Sequence, residues 1–256
     1  AAAILVLLSF AAAVLILHQR KLAQQPVLLA TLLLMLLFWQ GLLGKWTVTL
    51  RLHPLVVMSH LLGGFALLSV LWLLLLRLKP FHIPACTSQE EKLRPWAILG
   101  LLFIILQISL GGWTSANYAA FVCTDFPMCQ GQWWPPMNFS AGFHLSFNAE
   151  QNYEGGVLST TARTAIQMSH RLGALITTSY LACLIYKLFG TRQGSLLRRI
   201  GLILLLLLII QISLGALNVL WALPLLIAMA HNAVAALLLL SLITLNIYLT
   251  LDKGKI

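Results

Sequence analysis

Charged residues are scarce in this sequence, and acidic ones are scarcest. Of its 256 residues, 16 are Lys or Arg and 6 are Asp or Glu, whereas 60% are hydrophobic. A soluble domain of this size needs much more polar surface to stay dispersed. The low charge therefore excludes an ordinary soluble domain and predicts a protein whose solvent is the lipid bilayer.

Several signatures of known chemistry are missing as well. The chain has no glycine-rich phosphate-binding motif, no nucleophile elbow and no zinc-protease motif. Its net charge of +10 comes without a basic stripe interleaved with aromatics, so we expect no nucleic acid partner. The sequence opens on Ala1 inside an apolar run, without a Met or a signal peptide. We therefore expect a chain that is truncated at its N-terminal end.

Apolar runs long enough to cross a bilayer recur along the whole sequence. A hydrocarbon core about 30 Å thick needs roughly 20 apolar residues per helix. The fold class that this predicts is all-α, a polytopic transmembrane helical protein with about seven spans, the first of them incomplete. We expect these helices at residues 1–18, 26–44, 54–77, 95–113, 161–189, 196–218 and 222–250.

Basic residues fall in every second interhelical segment, which is the pattern of the positive-inside rule. The longest of the opposite segments, residues 114–160, has no Lys or Arg and carries Asp125, Glu150 and Glu154. We expect it to form a loop on the outer face. The cationic segments, expected on the cytoplasmic face, contain Arg20, Lys21, Arg77, Lys79, Lys92, Arg94, Lys187, Arg192, Arg198, Arg199, Lys253 and Lys255.

An internal repeat relates the two halves of the chain, because residues 40–60 align with residues 211–231 without a gap. It predicts two pseudo-repeated four-helix bundles, with an N-terminal half in residues 1–80, a cytoplasmic linker at 81–94 and a C-terminal half in 95–256. The aligned identities include Gln40 with Gln211, Gly44 with Gly215, Val48 with Val219, Leu52 with Leu223, Met58 with Met229 and His60 with His231.

A shorter echo supports the repeat. The segment Gln107-Ile-Ser-Leu-Gly-Gly112 resembles Gln211-Ile-Ser-Leu-Gly-Ala216, so outward-running helices share an ending. The same register carried back from His170-Arg171 ends immediately before Ala1. We expect a further His-Arg pair there, together with a first helix and its outer loop, which gives eight spans in the intact protein.

The seven histidines form two groups by their expected depth in the membrane. Solvated or interfacial roles are expected for those in loops or turns, because imidazole is stable at a wet boundary; these are His18, His53, His82 and His144. The other three lie roughly two turns inside apolar helices, near the outer surface, where a polar ring needs a partner; these are His60, His170 and His231.

Two kinds of partner compete for the deep histidines. One is a hydrogen bond to a neighbouring helix, and the other is haem iron held between two imidazoles of a four-helix bundle. Zinc fits less well, because a typical zinc site takes about four ligands and no Asp or Glu lies in the apolar runs. Three histidines at matched depth favour haem iron, with His170 facing His231 and His60 facing a histidine outside this chain.

Polar residues near the outer surface extend this hypothesis. Arg171 and Arg163 are cations that either snorkel to lipid phosphate or bind haem propionates. Cys123 and Cys129 close a small ring in an oxidising compartment, which favours a disulfide over a metal-binding pair. Covalent haem attachment would need Cys-x-x-Cys-His, which is absent. Free thiols are expected at Cys86 and Cys183, and interfacial anchors, or else a lid over a buried ring, at Trp113, Trp133 and Trp134.

The motifs as a set resemble those of proteobacterial haem A synthases over essentially the whole chain. The outer segment carries Gly111-Gly-Trp-Thr-Ser-Ala-Asn-Tyr118, then Cys123 to Cys129 and Gln130-Gly-Gln-Trp-Trp-Pro-Pro136. The first half carries Gln40-Gly-Leu-Leu-Gly-Lys-Trp-Thr-Val-Thr49 and His60-Leu-Leu-Gly-Gly64, and the second carries His170-Arg-Leu-Gly-Ala174.

The resemblance implies an oxidoreductase of the bacterial inner membrane, with loop 114–160 in the periplasm. It would oxidise a methyl group of haem O to a formyl group, making haem A for terminal oxidases. A cofactor haem b would be bound by His170, His231 and Arg171, and the substrate haem O by His60. The family's catalytic glutamate would precede this chain, so the fragment itself is expected to be inactive. Implied partners are haem O, a haem O synthase and an electron acceptor.

Two other functions fit the same residues. A membrane b-type electron-transfer cytochrome would use the same histidines and leave the haem chemically unchanged. A small-molecule transporter would place polar histidines on a midplane path, and internal repeats are common in that class. The transporter predicts no haem absorption band, and the cytochrome predicts a band but no modified haem.

Overall fold

The structure, a computed structural model, describes residues 2–21, 25–78, 87–145, 148, 150–193 and 195–250. Within these residues every regular element is a helix, as the apolar runs predict. Six helices are long and apolar enough to cross a membrane, and a shorter apolar helix precedes them. The chain is therefore an all-α, multi-pass membrane protein.

Most long helices begin and end within one turn of their predicted bounds. They are α1 (Ala2–His18), α2 (Val27–Thr49), α3 (Pro54–Leu78), α5 (Arg94–Ala116), α7 (Thr160–Phe189), α8 (Leu196–Leu220) and α9 (Leu225–Thr250). The short helices are α4 (Ser88–Glu91), α6 (Phe139–Gly142) and a turn of 3-10 helix at Ala119–Phe121.

Local sequence explains where several of these helices begin. Pro54 is the first residue of α3, a position where a missing N–H breaks no intrahelical bond. Ser159 and Ser195 cap α7 and α8, and their hydroxyls accept hydrogen bonds from the N–H groups of Ala162 and Arg198.

The outer end of α2 differs from the prediction. The sequence prediction ended this helix at Gly44. In the structure α2 continues for more than a turn, to Thr49, and the hydroxyl of Thr47 bonds back to the carbonyl of Gly44 at 2.7 Å. Gly44 has another role, described below with the histidines.

Helices α5, α7, α8 and α9 form a closed four-helix bundle. α5 packs against α7, α7 against α8, α8 against α9, and α9 again against α5. Helices α7 and α9 therefore stand at diagonally opposite corners. Leucines fill the interior between them, among them Leu181, Leu204 and Leu242, which are fully buried.

The first three helices pack in a row and join this bundle through α3. α1 packs against α2, α2 against α3, and α3 against α5 and α9. Gly112 of α5 lies at the joint, where a Cβ would be 3.0 Å from Cδ2 of Leu61 and 3.5 Å from Cγ of Met58. The missing side chain therefore lets α3 approach α5 closely.

The division into two halves stays a prediction. Part of the expected linker, residues 81–94, falls outside the described residues, and its described end holds helix α4. Lys79, Lys253 and Lys255 also lie outside them. The other predicted cations lie near helix ends at one face, as at Arg77 in the last turn of α3 and Lys187 in the last turn of α7.

The internal repeat is visible in two matching turns on the opposite face. Between α2 and α3, Arg51 and Leu52 have φ values of 47° and 62°, and between α8 and α9 Ala222 and Leu223 have φ values of 54° and 59°. In both turns the N–H of the leucine bonds at 2.8 Å to a carbonyl five residues earlier. In both aligned segments, two consecutive residues thus adopt the same uncommon left-handed backbone conformation.

Candidate functional site

His170 and His231 stand on the two diagonal helices of the closed bundle. His170 lies on α7 and His231 on α9, and both side chains are half-buried. Because neither side chain is exposed, neither ring lies fully on the lipid-facing surface. Their pairing across the bundle stays a prediction.

A glutamine from a neighbouring helix contacts each of these rings. Nε2 of Gln107 on α5 lies 3.0 Å from Nδ1 of His170 and donates a second hydrogen bond, also 3.0 Å, to the carbonyl of His170. Nε2 of Gln211 on α8 lies 3.2 Å from Nε2 of His231. Each glutamine engages one ring nitrogen and leaves the other for a second partner.

A glycine lies one helical turn after each glutamine and faces the same ring. A Cβ on Gly111 would be 3.1 Å from Cε1 of His170, and one on Gly215 would be 3.2 Å from Cε1 of His231. These distances are shorter than ordinary van der Waals contact, so an alanine at either position would displace the imidazole. The Gln-x-x-x-Gly spacing therefore provides both a polar contact and the space for the ring.

His60 occupies the corresponding position in the first half. It is the seventh residue of α3, counting from Pro54, and His231 is the seventh of α9, counting from Leu225. A Cβ on Gly44 would be 3.4 Å from Cε1 of His60. Within the described residues, Nδ1 of His60 is buried and has no hydrogen-bond partner.

The polar contact of the first half differs from the other two. Gln40 corresponds to Gln107 and Gln211, but its Nε2 is buried and has no hydrogen-bond partner among the described residues. The amide packs against Gly63. The glycine contact is thus common to all three histidines, and the glutamine contact is made at two of them.

Arg171 extends from α7 toward the outer loop. Its Nη1 donates to the carbonyls of Met128 at 2.7 Å and Pro127 at 3.2 Å, and its Nη2 donates to the carbonyl of Asp125 at 3.0 Å. Its Nε is buried without a hydrogen-bond partner in the described part of the chain. Neither expected role, lipid phosphate or propionate, includes these loop contacts.

The loop that Arg171 holds is closed by a disulfide between Cys123 and Cys129, as the sequence predicts. Inside the ring the Asp125 carboxylate accepts hydrogen bonds from the N–H groups of Gln130 at 2.7 Å and Gly131 at 2.8 Å. The pKa of Asp125 is lowered from its ordinary value, chiefly by the bond from Gly131. Asp125 therefore stays ionised and braces the ring.

Two predictions about outer residues are wrong. His53, expected in a solvated or interfacial position, is only 2% exposed, because Tyr153 of the outer loop packs edge-on against it with ring centroids 4.8 Å apart. Trp113, expected as an interfacial anchor, is buried, and its indole N–H donates to the carbonyl of Gly142 at 2.9 Å. In both cases a distant segment of the outer loop covers the ring.

The remaining predicted residues lie apart from the histidine pair. His18 and His144 are exposed, and so are the rings of Trp133 and Trp134, as interfacial anchors require. Cys183 is a free thiol, as expected. His82 and Cys86 lie outside the described residues.

Arg163 lies two turns before His170 on α7, toward the outer face. Its side chain is half-buried, and its Nε is buried without a hydrogen-bond partner in the described residues. A buried guanidinium nitrogen favours an anionic partner. The side chain is therefore suited to a carboxylate.

The arrangement can hold a flat, apolar, iron-containing group. Nδ1 of His231 is buried and lacks a hydrogen-bond partner within the described residues, so it is an orphaned donor or acceptor on the ring opposite His170. Two imidazoles on opposite helices provide the axial ligands that haem iron takes in a bundle. The residues present therefore fit a haem.

Sequence reasoning missed the glutamines. The echo between Gln107 and Gln211 suggested only a common helix ending, although both glutamines face a deep histidine. The constant spacing of glutamine and glycine could have identified them, because it recurs on the membrane-spanning helix before each deep histidine.

Known proteins resemble this chain in sequence over most of its length. The family model of the cytochrome oxidase assembly protein COX15-CtaA matches residues 1–243. The heme A synthase of Shewanella oneidensis is 48% identical over 215 residues, which cover 84% of this chain and 64% of that protein. The heme A synthase of Neorickettsia sennetsu is 28% identical over 204 residues, covering 78% of this chain and 57% of the relative. The chain thus spans about three fifths of the length of these relatives.

Proposed function

Because the chain belongs to the COX15-CtaA family of cytochrome oxidase assembly proteins, we propose that it is the haem-binding part of a haem A synthase. The proposed reaction oxidises a methyl group of haem O to a formyl group. The observation that carries this proposal is the recurrence of a deep histidine beside a Gln-x-x-x-Gly helix, at His60, His170 and His231.

In this proposal the closed bundle binds a resident haem b. His170 and His231 would hold it through their imidazoles, and the buried apolar side chains of the bundle would keep water away from the site. When bound, the haem supplies one-electron redox chemistry. Two histidine ligands would suit this haem to passing electrons.

The first half binds the substrate haem O through His60. Its ring is held beside α2 by the close approach of Gly44, near the outer end of the helix pair. Converting a ring methyl to a formyl group takes one oxygen atom from water and releases protons and electrons, so the reaction requires an electron acceptor in the membrane. A haem O synthase that delivers the substrate is a further proposed partner.

Two arginines are the proposed contacts for propionate groups. Arg163 and Arg171 each have a buried Nε without a hydrogen-bond partner in the described residues, and both lie on α7 on the outer side of the pair or beside it. A guanidinium matches a carboxylate in shape and charge. The proposed location of this end of the protein, with loop 114–160, is the periplasm of a bacterial inner membrane, and the positive-inside pattern supports it.

The activity is tested by analysing haem products. We expect membranes that make haem O and express the full-length protein to contain haem A, identified by chromatography and mass of the extracted haems. Membranes without the protein should contain haem O only. A purified protein with a b-type spectrum whose membranes contain no haem A would contradict the synthase and favour an electron-transfer cytochrome.

The ligand site is tested at Gly215. The change Gly215→Ala places a Cβ against the His231 ring. We expect the haem affinity of the purified protein to fall by up to about tenfold, which is the lower end of the loss seen when the residues around a metal ligand are changed. Haem content per protein, after dilution into detergent, is the measurement.

Gly64→Ala is the matched control, because a Cβ on Gly64 meets nothing within 4 Å. It should keep the parental haem content. If Gly215→Ala retained as much haem as Gly64→Ala, the proposal that His231 binds the haem iron beside Gly215 would be wrong.

A further inference from the structure

The glutamines beside His170 and His231 have unmatched polar atoms. Oε1 of Gln107 and Oε1 of Gln211 are both buried and lack a hydrogen-bond partner among the described residues. A buried amide oxygen without a partner destabilises the fold. A hydrogen-bond acceptor, the glutamine Oε1, therefore lies near each imidazole and has no donor among the described residues.

Iron ligation creates the donor that is missing. A neutral imidazole that binds a metal through one nitrogen carries its proton on the other, and that N–H needs an acceptor in an apolar interior. At His231 the ring nitrogen facing Gln211 lies 3.2 Å from the amide nitrogen. A half-turn of the amide exchanges its nitrogen for its oxygen at the same position.

Gln211 is the clearer of the two cases. Gln107 also donates to the backbone carbonyl of His170, which fixes its amide nitrogen in place. Within the described residues, the Gln211 amide makes one hydrogen bond, and its partner is the His231 ring. The amide of Gln211 is therefore free to turn without breaking another bond.

We infer that Gln211 is a positioning residue for the proposed haem ligand His231: its amide oxygen accepts a hydrogen bond from the N–H of the non-ligating ring nitrogen and so orients the ring. This inference rests on the proposed haem site and goes beyond it by assigning a function to the second contact. An acceptor on the imidazole N–H makes the ligand a stronger donor to iron, which stabilises ferric over ferrous haem. Gln211 thereby lowers the reduction potential.

The test compares two substitutions with opposite expected effects. Gln211→Leu removes the acceptor at similar volume, so the midpoint potential of the haem should rise, and haem affinity should fall by about tenfold or more. Gln211→Glu offers a stronger acceptor, so the potential should fall below that of the parent protein. Both are measured on full-length protein by spectroelectrochemical titration, with haem content from the pyridine haemochrome.

Ser213→Leu is the matched control, because Ser213 lies two residues away on α8, is exposed, and donates its hydroxyl to the carbonyl of Ile209 in its own helix. It should keep the parental potential. If the Gln211→Glu protein does not accumulate, the comparison of midpoint potentials between Gln211→Leu and Ser213→Leu is sufficient to test the proposal.

The possible outcomes distinguish the role of Gln211 from the proposed synthase activity. A Gln211→Leu protein with the parental potential and haem content would overturn the role of Gln211, and so would a shift of both variants in the same direction. A parent protein that binds haem b but forms no haem A would overturn only the synthase activity. A parent protein without haem would overturn both.

Discussion

Replacing His231 with alanine is expected to abolish the low-spin b-type spectrum of the full-length protein, and replacing His170 is expected to do the same. Each change removes one of the two proposed haem ligands, and the apolar core that the described residues of the bundle form would not replace it. Bound haem should fall by more than the roughly 10–100-fold that loss of an outer partner costs. The pyridine haemochrome and the visible spectrum of purified protein measure both effects.

The control for these substitutions is His144→Ala, because His144 is exposed in the outer loop. It should keep the parental spectrum. His231→Met gives a second reading, since methionine also ligates haem iron and should retain haem at a higher potential. A His231→Ala protein that keeps its haem content and low-spin spectrum would refute the proposed pair.

Replacing His60 with alanine is expected to stop the formation of haem A while the b-type spectrum persists. His60 lies on α3, outside the closed bundle of α5, α7, α8 and α9, so its loss leaves both proposed haem b ligands in place. Chromatography of haems extracted from membranes that make haem O measures product, and the visible spectrum measures haem b in the same preparation.

His18→Ala is the comparison for this experiment, because His18 is exposed at the opposite end of the first half. It should leave haem A formation unchanged. Haem A at the parental level in the His60→Ala protein would remove His60 from the substrate site. Loss of the b-type spectrum instead would make His60 a support of the cofactor.

The helices follow from local sequence, because a span in lipid must satisfy its backbone internally and therefore appears as an apolar run. The repeat also carried over into structure, as the two turns at Leu52 and Leu223 show. The error at the end of α2 has a local cause. Gly44 resembles a helix ending in sequence, whereas its missing side chain makes room for the ring of His60.

The contacts that the sequence did not predict are between distant segments. Tyr153 covers His53, and Arg171 bonds to carbonyls more than 40 residues away in the chain. No periodicity or spacing encodes which part of a long loop folds back on a given helix. The glutamine contacts could be predicted only in part. The Gln-x-x-x-Gly motif repeats in the sequence, but the number of residues between the motif and the histidine that it contacts differs from one copy to the next.

The tether between Arg171 and the disulfide ring bears on how the protein matures. With the loop at its proposed periplasmic location, the ring that supplies the three carbonyls closes only after its segment has been translocated and its two thiols oxidised. His170 is next to Arg171, so its surroundings are completed only after this ring has closed. The proposed haem site would therefore be completed late in biogenesis.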